Sequence, residues 1–387
     1  MSRIKVSRVA DRGGVSIFIV VFTALMVTIV TASFVQIVLR NQQIASNNDL
    51  SQSAYDSAMA GVEDAKRALV RLRECENDPS NDCELAIQAA LNSPDCDALG
   101  QLGVVTFDEG EVVVGSPEQN QAYTCVKVKL NTEGISKDLE PGIPVVIPLK
   151  SSTPFNKIKI HWFTLEDLNG SSFGVSNTAT PTLLKSSSGD SGEIWQSNWP
   201  PMLRAQLIQF RKNNLQLSQF ESGNAHTLFL YPTSAGITQH DFGTDLRMNP
   251  ITSRNSPRLV YCSEANLTDE DNGYACTAEI TLPNPISGTA ANREAYLQLM
   301  SIYGGTTLAV DLFNGPTKIE FNGVQPEVDS TGRASDLFRR VKARLTVTDG
   351  ARDPFLPNAA LSTEGNLCKT FFITDAVNEY ETGECTP

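Results

Sequence analysis

Hydrophobic and polar positions follow different patterns in different parts of the chain, and the first pattern is an unbroken apolar stretch. Residues 13–39 contain no charged side chain. At 1.5 Å per residue, a helix from Val15 to Leu39 would be about 37 Å long, which is enough to cross a hydrocarbon core of about 30 Å. The apolar region of a cleaved signal peptide is only about 7–15 residues long. The stretch therefore predicts a retained transmembrane helix over residues 15–39.

A helical repeat continues beyond the apolar stretch. Small and apolar residues recur at steps of three and four, while polar residues occupy the opposite face. We predict that residues 40–74 extend the same helix, which Asp78-Pro79 then ends. The repeat is compatible with packing on the chain's own domain or against neighbouring helices, since small residues let helices approach closely. The repeating positions are Ala54, Ala58, Val62, Ala65, Leu69 and Leu72.

From about residue 100 the pattern changes to short alternating segments separated by Gly, Pro and Asn. Such segments predict antiparallel strands, whereas residues 84–92 and 292–302 have a helical pattern. Residues 166–200 are rich in Ser, Gly, Asn and Thr, which predicts a long exposed excursion. The expected strands are 104–107, 111–114, 122–130, 157–163, 203–210, 227–231, 258–262, 275–282, 307–312, 317–321, 341–347 and 369–374.

The expected fold class is therefore α+β. A long N-terminal transmembrane helical spine is followed by a large, mostly antiparallel, β-rich domain over residues 75–387. A subdivision of this domain near residue 150 is possible.

Charge predicts the orientation of the span. Four basic residues and one acidic residue precede it, whereas a single Arg40 follows, so residues 1–14 should be cytoplasmic and the rest extracellular. The chain has 31 basic and 44 acidic residues, a net charge of −13. This balance argues against nucleic-acid binding. With three histidines, none at ligand spacing, we expect no metal, no cofactor and no enzymatic activity.

The cysteines predict disulfide bonds. All eight lie beyond the span, and an even number in an extracellular domain is typical of a disulfide framework. Proximity favours Cys262 with Cys276, and Cys368 with Cys385. The other four residues allow three pairings, of which Cys75–Cys83 with Cys96–Cys125 is the first choice.

The junction between the basic leader and the apolar helix carries a more specific pattern. The leader ends in Arg12-Gly13-Gly14, and the helix starts at once with Val15-Ser16-Ile17-Phe18-Ile19. This junction resembles the class III leader of type IV prepilins, which a membrane peptidase cuts on the cytoplasmic side before methylating the new N-terminus. The resemblance implies a cut after Gly14 and makes Val15 the modified first residue.

Two further features define the resemblance. The run from Ala54 to Leu69 resembles the small-residue signature AxxAAEAGxExA of PilX-type minor pilins. Ile19 lies where most major pilins carry glutamate. In having an apolar residue there, the chain is similar to PilX-type minor pilins and to K-type pseudopilins, which are found at or near filament tips. The resemblance implies assembly through the helix, with other pilins, the prepilin peptidase, the pilus assembly platform and the lipid bilayer as partners. The implied assembly residues are Ser16, Ile17, Phe18, Ile19, Ala54, Ala58, Gly61 and Val62.

A different class of function is compatible with the same span. The chain could be a non-polymerising, single-pass membrane-anchored adhesin or ligand-binding protein. An anchored hydrolase is a third hypothesis, because residues 189–192 read Gly-Asp-Ser-Gly, the sequence around the nucleophile of trypsin-like proteases. None of the three histidines has the surroundings of that family's base, and the tetrapeptide lies in a serine-rich segment.

Two charged segments complete the pattern. The acidic turn Asp269–Gly273 could offer oxygen ligands to calcium, but it lacks EF-hand spacing and is interpreted as a solvated turn. On a strand, Arg340, Lys342 and Arg344 would share one face. That face is either exposed to solvent or a contact for an acidic neighbouring subunit.

Overall fold

A computed structural model gives the fold of the chain and describes residues 13–75, 82–93, 95–115, 120–177, 195–211, 225–241, 257–269, 273–288 and 293–346. Within these ranges the helices are α1 (Gly13–Cys75), α2 (Asp82–Leu91) and α3 (Ala98–Gln101). The strands are β1 (Val112–Val113), β2 (Gln121–Thr132), β3 (Ile135–Leu139), β4 (Val145–Pro148), β5 (Phe155–Thr164), β6 (Met202–Arg211), β7 (Ala225–Thr233), β8 (Gln239–Asp241), β9 (Arg258–Tyr261), β10 (Tyr274–Ile286), β11 (Arg293–Ile302), β12 (Thr306–Asn314), β13 (Thr317–Ile319), β14 (Phe321–Ala334) and β15 (Leu337–Arg344).

The chain divides into two compact units. The helix unit comprises residues 1–130 and 326–345, and the β unit comprises residues 131–325 and 346–387. The divisions fall inside β2 and at Gln325–Pro326 within β14, whereas the sequence suggested a boundary near residue 150.

The helix unit is built around α1 and a four-stranded sheet with the strand order β1-β2-β14-β15. The C-terminal half of α1 buries its stripe of small and apolar side chains, from Ala54 to Leu72. On β14, Val328, Ser330 and the alternate positions around them are buried, while the residues between them are polar or charged. One face of the sheet therefore holds the helix, and the other is polar.

The β unit is a two-sheet structure with a shared apolar core. One sheet has the order β13-β12-β5-β10-β8, with β3 also pairing with β12, and the other has the order β4-β11-β6-β7-β9. Inward side chains of both sheets, such as Ile160 and Trp162 on β5 and Leu207 on β6, belong to one buried cluster. The pairings are antiparallel except those of β8 with β10 and of β7 with β9. The coarse α+β prediction of a long apolar helix followed by a large, antiparallel-rich β domain is confirmed.

Two local predictions are wrong. Residues 292–302 were expected to be helical because Ala, Arg, Glu, Leu, Gln and Met favour helices. Residues 293–302 form β11, in which Ala295, Leu297 and Leu299 are buried and the residues between them are half-buried. Pairing with both β4 and β6 outweighs the intrinsic propensity. Residues 104–107, expected to be a strand, follow α3 as turns and irregular backbone.

Three disulfide bonds join described residues: one is the Cys262–Cys276 pair that proximity favours, and the other two are the first choice among the three pairings of the remaining cysteines. Cys75 at the end of α1 bonds Cys83 in α2. Cys96 bonds Cys125 in β2, and Cys262 bonds Cys276 in β10. Cys368, Cys385 and the strand expected over 369–374 lie outside the described residues, so the fourth pair stays a prediction.

Candidate functional site: the N-terminal helix

The first half of α1 is an apolar helix that no other part of the described chain covers. Large apolar side chains from Ile17 to Ile44 are exposed; Phe18, for example, is 79% exposed. The hydroxyl groups of the threonines and of Ser33 in this half donate hydrogen bonds to backbone carbonyls one turn earlier, as Thr23 Oγ1 does to Ile19 O at 2.9 Å and Thr31 Oγ1 to Val27 O at 2.8 Å. Their polar groups therefore need no water. By length and composition, α1 is the helix among the described residues that is able to cross a membrane.

The second half of α1 is held by its own sheet at two glycines. A Cβ added at Gly61 would lie 2.5 Å from Ser330 Oγ on β14 and 2.9 Å from Val126 Cγ2 on β2. A Cβ added at Gly332 on β14 would lie 2.8 Å from the Cα of Ala58 and even closer to backbone atoms of Ala54 and Ala58. Helix and sheet backbones thus touch directly, and a side chain at either glycine would separate them.

Polar contacts fix the register of the helix on the sheet. Tyr123 on β2 donates a hydrogen bond from its hydroxyl group to Asp64 Oδ2 at 2.8 Å, and Arg67 donates to the other oxygen of Asp64 at 2.6 Å. Burial, followed by the hydrogen bond to Asp64, raises the pKa of Tyr123 well above its ordinary value of 10. Arg339 on β15 donates from Nε to Ser51 Oγ at 2.8 Å. These contacts set both the height and the rotation of α1.

The residues implied in processing lie at the start of α1. The leader residues 1–12 are outside the described residues, and the helix begins at Gly13 and includes Gly14, Val15 and Ser16. Ile17, Phe18 and Ile19 are exposed, with Ile19 59% exposed. Cleavage after Gly14 stays a prediction.

The residues implied in helix-to-helix assembly fall into two groups. Ile17, Phe18 and Ile19 are open to a neighbour. Ala54, Ala58 and Val62 are each at most 1% exposed, and Gly61 is buried with them against the chain's own sheet. In this structure the small-residue stripe packs within the chain, which is the first of the two alternatives that its spacing allowed. A neighbouring helix would instead contact the exposed apolar half of α1 and, in the second half, the polar face opposite the buried stripe.

Gly332 is a contact that the sequence analysis missed. A signal for it exists, because glycine inside a strand marks a close approach of another backbone. The charged residues that flank it on β14 and β15 indicate only the opposite, polar face of the sheet.

The basic side chains of β15 are partly neutralised by carboxylates of the neighbouring strand β14. Arg340 pairs with Asp329 on β14, and Lys342 Nζ lies 3.3 Å from Glu327 Oε1. The Arg340 hydrogen bond, with nearby lysines, lowers the pKa of Asp329. Arg340, Lys342 and Arg344 share the exposed face, as alternation predicts.

The other sequence motifs form no site among the described residues. Gly273 N donates a hydrogen bond to Asp269 O at 3.0 Å, and Gly273 has a φ of +63°. The segment 189–192 and residues 270–272 lie outside the described ranges. Across those ranges no group of three His, Cys, Asp or Glu side chains is placed to hold a metal ion.

Charged side chains on the outer face of the β5–β10–β12 sheet form ion pairs. Lys157 and Lys159 on β5 lie 2.7 Å and 3.3 Å from the carboxylate oxygens of Glu279 on β10. The hydrogen bond from Lys157 lowers the pKa of Glu279. Lys318 lies 3.1 Å from Asp311. These cations all have a carboxylate partner.

Comparison of the chain with protein-family models, with curated proteins and with solved structures finds no match. The functional argument therefore rests on α1 and on the residues that surround it.

Proposed function

We propose that the chain is a minor pilin or pseudopilin-like subunit, processed after Gly14 and assembled into an extracellular filament through α1. The observation that carries the proposal is the division of α1 into two halves. The large apolar side chains between Ile17 and Ile44 are uncovered, whereas the buried stripe that begins at Ala54 packs on a sheet of the same unit. A static anchor needs only the first half; a rigid continuation that is fastened to a sheet suits a spine that carries a domain out of the membrane.

The mechanism we propose is physical. With the leader attached, four basic side chains hold the N-terminus at the cytoplasmic face. Cleavage after Gly14 removes all four. The uncharged span can then exchange lipid contacts for contacts with other apolar spines, because no buried charge opposes its movement. Ile19, exposed on this half, supports a minor position, since it offers no carboxylate to pair with a neighbour's amine.

The N-terminus of the full-length protein provides the test. In cells with an active prepilin peptidase, mass spectrometry should find a chain that starts at Val15 with a methylated amine. Gly14→Val should leave the leader attached, whereas Gly13→Ala, the matched control one residue earlier, should still be cut.

The cellular fraction tests assembly separately. The processed protein should appear among filaments sheared from the cells, and the Gly14→Val protein should stay in the membrane. An intact leader in the presence of the peptidase, with all protein in the membrane fraction, would instead support a non-polymerising membrane-anchored adhesin or ligand-binding protein.

A further inference from the structure

Arg204 is a half-buried cation of the β unit with no carboxylate partner among the described residues. It lies on β6 at the centre of the β4-β11-β6-β7-β9 sheet. Its hydrogen bond within the described chain goes from Nη2 to Gln206 Oε1 at 3.3 Å. By contrast, Lys157, Lys159 and Lys318 of the same unit each face a carboxylate. A guanidinium has five N–H donors, so most of the donor capacity of Arg204 is available to a ligand.

The surroundings of Arg204 form a cleft on the outer face of this sheet. Gly142, Pro144, Gln298 and Met300 line it together with Arg204. The strand register places Met300 and Phe229 on either side of Arg204, and Gln298 directly opposite Gln206. The cleft therefore combines one cation and one side-chain amide with the apolar side chains of Pro144 and Met300, and the amide of Gln206 lies on the neighbouring strand position.

Aromatic rings flank the cleft along the strand direction. On one side Tyr296 stacks on Phe210, with ring centroids 5.7 Å apart. On the other side Trp195 packs with Tyr231 and stacks on Tyr303 at 4.5 Å. At about 3.4 Å per residue, the Tyr296 and Tyr231 rows lie about 14 Å and 7 Å from the Arg204 row. Tyr231 is only 1% exposed, so an extended ligand could meet Arg204 with the half-buried ring of Tyr296 on one side and the half-buried ring of Tyr303 on the other.

The aromatic group next to the cleft has two unusual properties. Trp195 is 8% exposed, and its Nε1–H is buried without a hydrogen-bond acceptor among the described residues. Tyr303 has a φ of +81°, a backbone conformation that is strained for a bulky residue. Strained backbone and unsatisfied donors are commonest where a protein binds something.

From this arrangement we infer that the outer face of the β4-β11-β6-β7-β9 sheet binds an acidic oligosaccharide, with a sugar carboxylate on Arg204 and sugar rings against the flanking aromatic side chains. A guanidinium pairs with a carboxylate through two parallel N–H···O bonds. The C–H groups on a pyranose face carry partial positive charge and pack on the negative face of an aromatic ring. The amides of Gln206 and Gln298 can both donate to and accept from sugar hydroxyl groups. This binding does not rest on the proposed role of α1.

Binding to uronic-acid hexamers tests the inference. Full-length protein in detergent is titrated calorimetrically with hexamers of galacturonate, mannuronate and glucuronate, and with their methyl esters, which keep the rings and lose the charge. We expect at least one acid hexamer to bind, with its ester roughly 10-fold weaker or more. Arg204→Gln should weaken the acid hexamer roughly 10- to 100-fold and leave the ester unchanged. Arg204→Lys should fall between, because it keeps the charge and loses the paired geometry.

Arg211 on the same strand supplies the matched control, since Arg211→Gln removes the same charge at an exposed position away from the cleft. It should change affinity less than 2-fold. The inference is overturned if no hexamer binds, if an ester binds as well as its acid, or if Arg211→Gln weakens binding as much as Arg204→Gln. Equal binding of hexaglutamate would overturn the carbohydrate assignment and indicate an acidic peptide. Each variant should still be processed to Val15, so a failure here does not bear on the filament proposal.

Discussion

Replacing Gly332 with alanine tests whether direct contact between the α1 and β14 backbones holds the helix unit together. The added Cβ would lie 2.8 Å from the Cα of Ala58, whereas carbon atoms in contact are ordinarily about 3.5–4.0 Å apart. Because the nearest atoms are backbone, no side-chain rotation relieves the clash. The helix must move away from the sheet by roughly 0.7 Å or more. Overpacking of this kind costs about 1–3 kcal/mol, which is a factor of about 5 to 150 in the equilibrium for local opening.

Hydrogen exchange followed by mass spectrometry measures this effect at the right place. Amides of α1 between residues 54 and 72, and those of β14 and β15, should lose protection by about 5- to 150-fold. The three tryptophans, Trp162, Trp195 and Trp199, all lie in the β unit, so the denaturation curve followed by tryptophan fluorescence should not shift. Gly304→Ala is the control, because a Cβ there would meet nothing closer than 3.8 Å. Unchanged protection in Gly332→Ala would refute the argument that the backbones are in contact.

Three further predictions concern individual contacts. Tyr123→Phe removes the hydrogen bond to Asp64 and should lower the stability of the helix unit by about 1.5 kcal/mol, seen as faster exchange of α1 amides; exchange at the wild-type rate would contradict a stabilising bond. Replacing both Cys262 and Cys276 with serine opens a loop whose ends are 14 residues apart. The free energy of unfolding of the β unit should fall by about 3 kcal/mol, as measured by tryptophan fluorescence in guanidinium. A denaturation midpoint equal to that of the wild type would argue against a stabilising disulfide bond. The lysines beside Glu279 lower its pKa below the ordinary 4.5. The charged form of Glu279 therefore stabilises the fold above pH 4.5, and this contribution is lost as the pH falls through the lowered pKa. Glu279→Gln should make the free energy of unfolding of the β unit depend less on pH in the acid range, and an unchanged pH dependence would exclude Glu279 as its source.

The elements that the sequence predicted well are those in which local pattern and tertiary burial agree. The helix from the apolar stretch to Cys75 and strands such as β2, β5 and β6 have a single clear period, and the structure has them within a few residues. Residues 293–302 show the opposite case. Their residue types favour a helix while their alternation of buried and half-buried positions is that of a strand, and only pairing with β4 and β6 decides between the two.

The environment of single residues was harder to predict than the elements. The spacing of Ala54, Ala58, Gly61 and Val62 established a close-packing face, but the same spacing serves a contact within the chain and a contact between chains. The partner is Gly332, about 270 positions away in the sequence, and no local pattern connects the two segments. Arg204 likewise gave no signal, because a missing carboxylate partner becomes visible only when the neighbouring strands are in place.

The seam between α1 and its sheet also has a mechanical consequence. The buried stripe from Ala54 to Leu72 extends about 27 Å along the helix. A pull on the N-terminal half of α1 runs parallel to this seam and loads its packing contacts and its hydrogen bonds together, in shear. They cannot be peeled apart one at a time, as the contacts of a strand pulled from one end can. Cys75, bonded to Cys83, lies at the far end and joins the helix covalently to the next element. A force between the sheet of the helix unit and the apolar half of α1 is therefore carried by contacts that resist sliding.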